Sequence, residues 1–123
     1  MAMATEHPLA WMQHLQDALD RSGNTHTLKD VCDAIDAGDA KAWFGERSTV
    51  VTDIMPFPSA VTCRIWLAGG DLDELIEQEA KISEWARKSG CTRVMIAGRP
   101  GWERALPGYR RNAVLLTKEL SDG

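Results

Sequence analysis

Tyrosine and phenylalanine are scarce in this chain, with one Tyr and two Phe among 123 residues, and cysteine occurs only three times. Cys32, Cys63 and Cys91 are odd in number, far apart, and set in apolar neighbourhoods where a free thiol behaves as a small hydrophobe. They read as core thiols, which argues against a disulfide scaffold. His7, His14 and His26 all fall in the N-terminal quarter without Cys or carboxylate partners at ligand spacing, so no metal site is expected. No Gly-x-x-x-x-Gly-Lys, Gly-x-Ser-x-Gly or dinucleotide fingerprint occurs, which removes the main support for nucleotide or serine hydrolysis. Met1 to Pro8 lack a basic stretch followed by an apolar one, and no apolar run approaches the length that spans a bilayer. A cytosolic protein with no membrane contact is therefore expected.

What is present is ordinary globular composition, 44% hydrophobic and 26% charged, in a length that suits one domain over residues 1–123 with 1–8 flexible. The net charge of -4 is unevenly spread. From Arg87 to Lys118 eight basic residues face one acidic residue, Glu103. Such asymmetry can mark a face for an acidic partner or nucleic acid. The favoured reading is a set of solvated strand and helix faces, since Trp102 and Tyr109 are the only interleaved aromatics.

Apolar periodicity supplies the elements. Pro8, then Leu9, Met12, Leu15 and Leu19 with Trp11 and Ala18 nearby, predict a first amphipathic helix ending before Gly23. Thr27 with Asp30 three residues on resembles a capping pair, and Leu28, Val31, Cys32 and Ile35 continue a second, short helix to Gly38. The β-branched run in Ser48 to Met55 predicts a strand that Pro56-Phe57-Pro58-Ser59 should end. Val61, Cys63, Ile65 and Leu67 alternate with Thr62, Arg64 and Trp66, which predicts a second strand, paired antiparallel with the first and with one face on the core.

Past Gly69-Gly70, Asp71 is a candidate N-cap with Glu74 three residues later. Leu72, Leu75, Ile76, Ala80, Ile82, Trp85 and Ala86 then mark the buried stripe of the longest helix, stopped by Gly90. Val94-Met95-Ile96-Ala97 has the pattern of a strand buried on both faces, central and parallel to the strand before the helix. Trp102 to Leu106 has room for about one helical turn before Pro107-Gly108, and Tyr109 to Glu119, centred on Ala113 to Leu116, predicts a last strand.

Two N-terminal helices, a hairpin, a long central helix, a short buried strand, a short C-terminal helix and a last strand resemble the GNAT (N-acetyltransferase) fold, an α/β (α+β) architecture with a mixed sheet. Gly98-Arg99-Pro100-Gly101-Trp102-Glu103-Arg104 followed by Pro107-Gly108-Tyr109-Arg110-Arg111 looks like that family's short fourth helix and its Gly-aromatic entry into the last strand. Taken with Ile65 to Leu75, these residues also resemble small GNAT-like proteins of tailed bacteriophages and prophages, the internal-virion-protein-like group. The resemblance covers Thr27 to Leu120. It implies a protein of the bacterial host cytoplasm or the virion, with another phage or host protein as partner.

In acetyltransferases of this fold the loop ahead of the long helix, together with the helix N-terminus, holds the pyrophosphate of acetyl-CoA on backbone N–H groups. The matching candidates here are Leu67, Ala68, Gly69, Gly70, Asp71 and Leu72. Two glycines permit close backbone approach, but the basic or Gln position is missing, and Asp71, Asp73 and Glu74 load the first turn with negative charge. At roughly 6 Å from a phosphate, each carboxylate opposes binding by about 1 kcal/mol or more. The general-acid tyrosine of many members is also absent from Glu103 to Leu106. Asp53 and Glu103 are the candidates for a catalytic base. Trp66, Arg99, Trp102, Arg104, Arg110 and Arg111 are the candidates for partner contacts. The expectation is a GNAT-fold protein without cofactor or acyl transfer; the alternative is a small acetyl-CoA-dependent N-acyltransferase.

Overall fold

The computed structural model describes residues 8–22, 25–97 and 101–120. The segment expected to be flexible, and also Arg99, lie outside the described residues, apart from Pro8. Helices α1 (Pro8–Arg21) and α2 (Leu28–Asp36) precede strands β1 (Lys41–Phe44), β2 (Ser48–Phe57) and β3 (Ala60–Gly70). Helix α3 (Leu72–Lys88), strand β4 (Arg93–Ile96) and helix α4 (Gly101–Ala105) follow. The sheet order is β1-β2-β3-β4, antiparallel except for the parallel β3–β4 pair.

Two of the helices begin where a side chain satisfies their free N–H groups. Thr27 and Asp30 form a reciprocal capping box on α2, and Asp71 caps α3 by accepting from the Glu74 N–H at 2.9 Å. Gly38 and Gly90 follow the ends of α2 and α3 at φ of +83° and +90°. Trp11, Leu15, Ala18 and Leu19 of α1 and Val31 of α2 bury against Val51 and Leu67 on one face of the sheet. Leu75, Ile82 and Ala86 of α3 bury against Val50, Cys63 and Ile65 on the other. In the helices, Met12, Leu72 and Ala80 fall on solvent-facing sides instead of the expected stripes, while Glu74 and Gln78 are buried.

Several strand expectations are corrected. Strand β1 was not anticipated, because four residues without a β-branched side chain carry little local signal and pair only through β2. Strand β2 runs through Pro56 to Phe57, because β1 accompanies it only from Thr49 to Thr52 and the remainder is an edge, where a missing N–H is tolerated. In β3 the register moves from Val51 opposite Leu67 to Thr52 opposite Ile65, so Trp66 is an extra, bulged residue. The bulge reverses the alternation. Cys63 and Ile65 face α3, whereas Trp66 and Leu67 both face α1 and α2.

Strand β4 is an edge strand, not a central one, and its Val94 and Ile96 are only half-buried. The expected last strand explains why. Residues 109–120 form no strand, and Val114, Leu115, Leu116 and Leu120 are 70 to 86% exposed. Beside β4 there is accordingly no neighbour among the described residues. No described helix is long and apolar enough to cross a membrane.

Candidate functional site

The loop that joins β3 to α3 is surrounded by the chain's own groups. Gly69 lies against the backbone of His14 on α1, so closely that a Cβ would overlap the His14 carbonyl oxygen. Gly70 has φ +117° and sits on the turn between β1 and β2, where a Cβ would come within 2.6 Å of Ser48 Cα and overlap the Arg47 carbonyl oxygen. That carbonyl accepts from the Asp71 N–H at 2.9 Å. Both glycines therefore admit neighbouring backbone of the same chain.

The first turn of α3 is equally engaged. Besides the Asp71 cap, the nearly buried Glu74 carboxylate accepts from the Arg47 backbone N–H at 3.0 and 3.2 Å and from the Ser48 hydroxyl. Gly45 leaves room for this carboxylate, since a Cβ there would overlap Glu74 Oε1. Burial pushes the Glu74 carboxyl up, but the Ser48 hydrogen bond, the Arg47 N–H and the Arg47 guanidinium outweigh it and hold the pKa below the ordinary value. The Arg47 guanidinium lies 3.8 Å from Asp71 and 3.6 Å from Glu74, with 60% of its side chain exposed. Arg47, Ser48 and Gly45 were missed from sequence because they meet the loop from more than 20 residues away; the one available signal was the Gly-x-Arg-Ser turn between two extended segments.

Of the other loop candidates, Leu67 is buried against α1, and Leu72 is half-exposed on the first turn of α3. The Ala68 carbonyl accepts from Arg21 at 3.4 Å. Ala68 also lines a cavity with Val50, Ile65, Ile96, Trp102 and Leu106, at the place where β3 continues beyond the end of β4. That cavity holds about 10 Å3, room for roughly one water.

Tyr109 follows on α3's flank. Its hydroxyl donates to Glu79 at 2.8 Å, and Ser83 donates to the same carboxylate oxygen at 2.7 Å. Burial, then the Glu79 carboxylate, push the tyrosine pKa upward, so the phenol keeps its proton across the physiological range. Cys63 is fully buried, and burial pushes its thiol up to about 11, which removes it as a nucleophile.

The candidate bases are not brought together. Asp53 is held by Arg64 across β2 and β3 through two bonds of 2.9 and 2.6 Å, and the guanidinium lies 5.5 Å from the Trp66 ring. Glu103 on α4 accepts from Arg111 at 3.1 Å. The partner candidates are dispersed as well. Trp66 is half-buried beneath α1 and α2, edge-on to His26, whereas Trp102 is half-buried on the opposite face of the sheet. Arg104 and Arg110 are exposed, and Arg99 lies outside the described residues.

No known family profile matches this sequence. No curated protein matches it either. Solved structures do. A point mutant of TTHA1254 from Thermus thermophilus superposes with a TM-score of 0.60 at 14% identity, over 91% of this chain and 94% of that one. An acetyltransferase from Trypanosoma brucei gives 0.53 at 14% identity, over 89% and 94%. The fold is GNAT-like. A tetramutant of BH1408 from Bacillus halodurans gives 0.56 at 16% identity, over 97% and 92%. Identities this low carry the GNAT-like architecture to this chain and leave its chemistry to its own residues.

Proposed function

We propose that this GNAT-like chain works by binding another protein, as an assembly or host-interaction component of a tailed phage or prophage, and does not transfer acyl groups. The observation that carries the second half is the α3 N-terminus, where Asp71 and Glu74 occupy the positive end of the helix. The space left by Gly69 and Gly70 belongs to His14 and Arg47. These residues do not fit the pyrophosphate of acetyl-CoA. Trp102 and Leu106 line a cavity beside β3 and β4 with room for roughly one water, and Tyr109 gives its hydroxyl to Glu79, which adds support. The phage assignment rests on the sequence resemblance of Ile65 to Leu75 and Gly98 to Arg111.

Titration with acetyl-CoA tests this reading. A ligand at one hundred times its dissociation constant stabilises by about 2.7 kcal/mol, a large shift in a thermal melt. No shift at millimolar acetyl-CoA is expected, and a saturable shift overturns the proposal. Recovery of the chain with purified virions or with a phage or host protein is the expected positive result.

A second reading, a small N-acyltransferase, is favoured by Arg47. It supplies beside the loop the cation that the loop sequence lacks, and its exposed guanidinium is free to turn from Asp71 and Glu74 toward an anion. Under that reading Arg47→Ala abolishes acetyl-CoA binding.

A further inference from the structure

The packed part of the molecule stops at Tyr109, and the arm that follows it begins with two arginines. Leu106 is buried and the Tyr109 hydroxyl is bonded to Glu79, whereas residues 110–120 are all exposed and form no helix or strand. No backbone–backbone hydrogen bond reaches residues 110–120 among the described residues. Arg110 bonds only to Asn112 within the arm, and Arg111 meets Glu103 at 3.1 Å with 56% of its side chain exposed. An ion pair so exposed holds the chain weakly.

We propose that Arg110-Arg111 is a site of limited proteolysis for an endoprotease that cuts after basic residues, which removes residues 112–123 and leaves the folded body intact. A protease takes its substrate as an added strand, so the chain around the cut must have its backbone groups free. Among the basic residues, those of the arm meet that condition. Every other Lys and Arg of the described residues lies in a helix or a strand, apart from Arg47, whose N–H and carbonyl are bonded to Glu74 and Asp71. Arg99 precedes Pro100, whose missing N–H and fixed φ make that bond a poor strand-like substrate. Charge selects the class of enzyme. A pocket that recognises a basic side chain is acidic and is opposed by carboxylates next to the cut; none lies in sequence between Arg104 and Lys118, whereas Glu119 directly follows Lys118. The favoured bond is therefore the one between Arg111 and Asn112. Its hydrolysis breaks the C–N bond, with the hydroxyl of water going to the Arg111 carbonyl carbon and the remaining proton to the Asn112 nitrogen. The released peptide carries Val114, Leu115, Leu116 and Leu120, so the cut strips the body of its run of exposed aliphatic side chains.

Limited digestion of the full chain with trypsin, read by mass spectrometry, tests the proposal. Cleavage after Arg111 is expected at least about tenfold faster than any cut before Leu106, and the 1–111 product should keep the helical circular dichroism of the parent. Tyr109→Phe, which frees the root of the arm, should raise the rate at Arg111 about fivefold and leave the rate at Lys118 unchanged. Replacing both arginines, Arg110→Gln with Arg111→Gln, should leave Lys118 as the first site. In the native source, intact mass should show a form that ends at Arg111. An arm that resists trypsin while the body is cut overturns the proposal, as does a 1–111 product that loses its helical signal. So does a parent cut at Lys118 no more slowly than at Arg111, and so does a native source that holds the full chain alone.

Discussion

The corner where β3 enters α3 and the arm that follows Tyr109 are opposite cases of the relation between local signal and structure. In the corner, Gly45, Arg47, Ser48, Gly70, Asp71 and Glu74 hold one another through close backbone contacts and a set of hydrogen bonds within the chain. In the arm, Val114 to Leu116 form a short apolar run of the kind a strand buries and have no pairing. Propensity fixes little until a neighbour completes the hydrogen bonds. A glycine pair in turn says that something approaches the backbone closely, without saying whether it is a ligand or the protein itself.

The largest expected effect that would break the contrast is at Gly70. Gly70→Ala combines a positive φ with overlap onto Arg47 and Ser48, and should cost about 3 kcal/mol in chemical denaturation. Gly108→Ala, with φ +86° but no atom near its added Cβ, should cost roughly 1 kcal/mol. Equal losses would mean that backbone strain, not crowding, rules the corner.

Next is Glu74→Gln, expected to cost about 1–2 kcal/mol at neutral pH through weakened bonds to Arg47 and Ser48. The folded pKa of Glu74 lies below its unfolded value, so its stabilisation is complete above the unfolded pKa and is lost as pH falls through the folded one. Denaturation curves of parent and variant should therefore begin to draw together once pH falls below the ordinary glutamate value of about 4.3.

Tyr109→Phe removes the bond to Glu79 at the root of the arm and should cost about 1 kcal/mol. Because the folded pKa of Tyr109 is raised, its contribution is present below about pH 10 and fades as pH rises beyond the unfolded value. An alkaline melt that distinguishes the two proteins only below that range is the expected result. Smallest of all, Leu115→Ser should leave the stability of the dilute monomer within about 0.5 kcal/mol. A larger loss there would show the arm to be packed.

Much of the fold was legible because its signals are local. The Thr27–Asp30 box, the Asp71 cap, Gly90, the β2–β3 hairpin and the parallel placement of β4 each follow from residues close in sequence. Strand β1 and the bulge at Trp66 were not legible, since both exist only through pairing with β2. The last strand was expected from Ala113 to Leu116 and fails because no described neighbour receives it. At the candidate site the loop itself was located, and its excess negative charge was readable from Asp71, Asp73 and Glu74. Arg47, Ser48 and the His14 backbone were beyond reach, because only the tertiary fold brings them to that loop.

The bulged Trp66 makes one position of β3 different from all the others in what a change of length would do. Any substitution at position 66 keeps Ile65 toward α3 and Leu67 toward α1, because the extra residue itself sets the phase. Deleting that one residue would leave Ile65 toward α3 beside Leu67 toward α1, plain alternation opposite Thr52 and Val51, whereas deleting a residue elsewhere in the strand would send every side chain on one side of the gap to the wrong face. The bulge is therefore the point of β3 where loss of a residue keeps what each face presents, while the rest of the strand is rigid in its count.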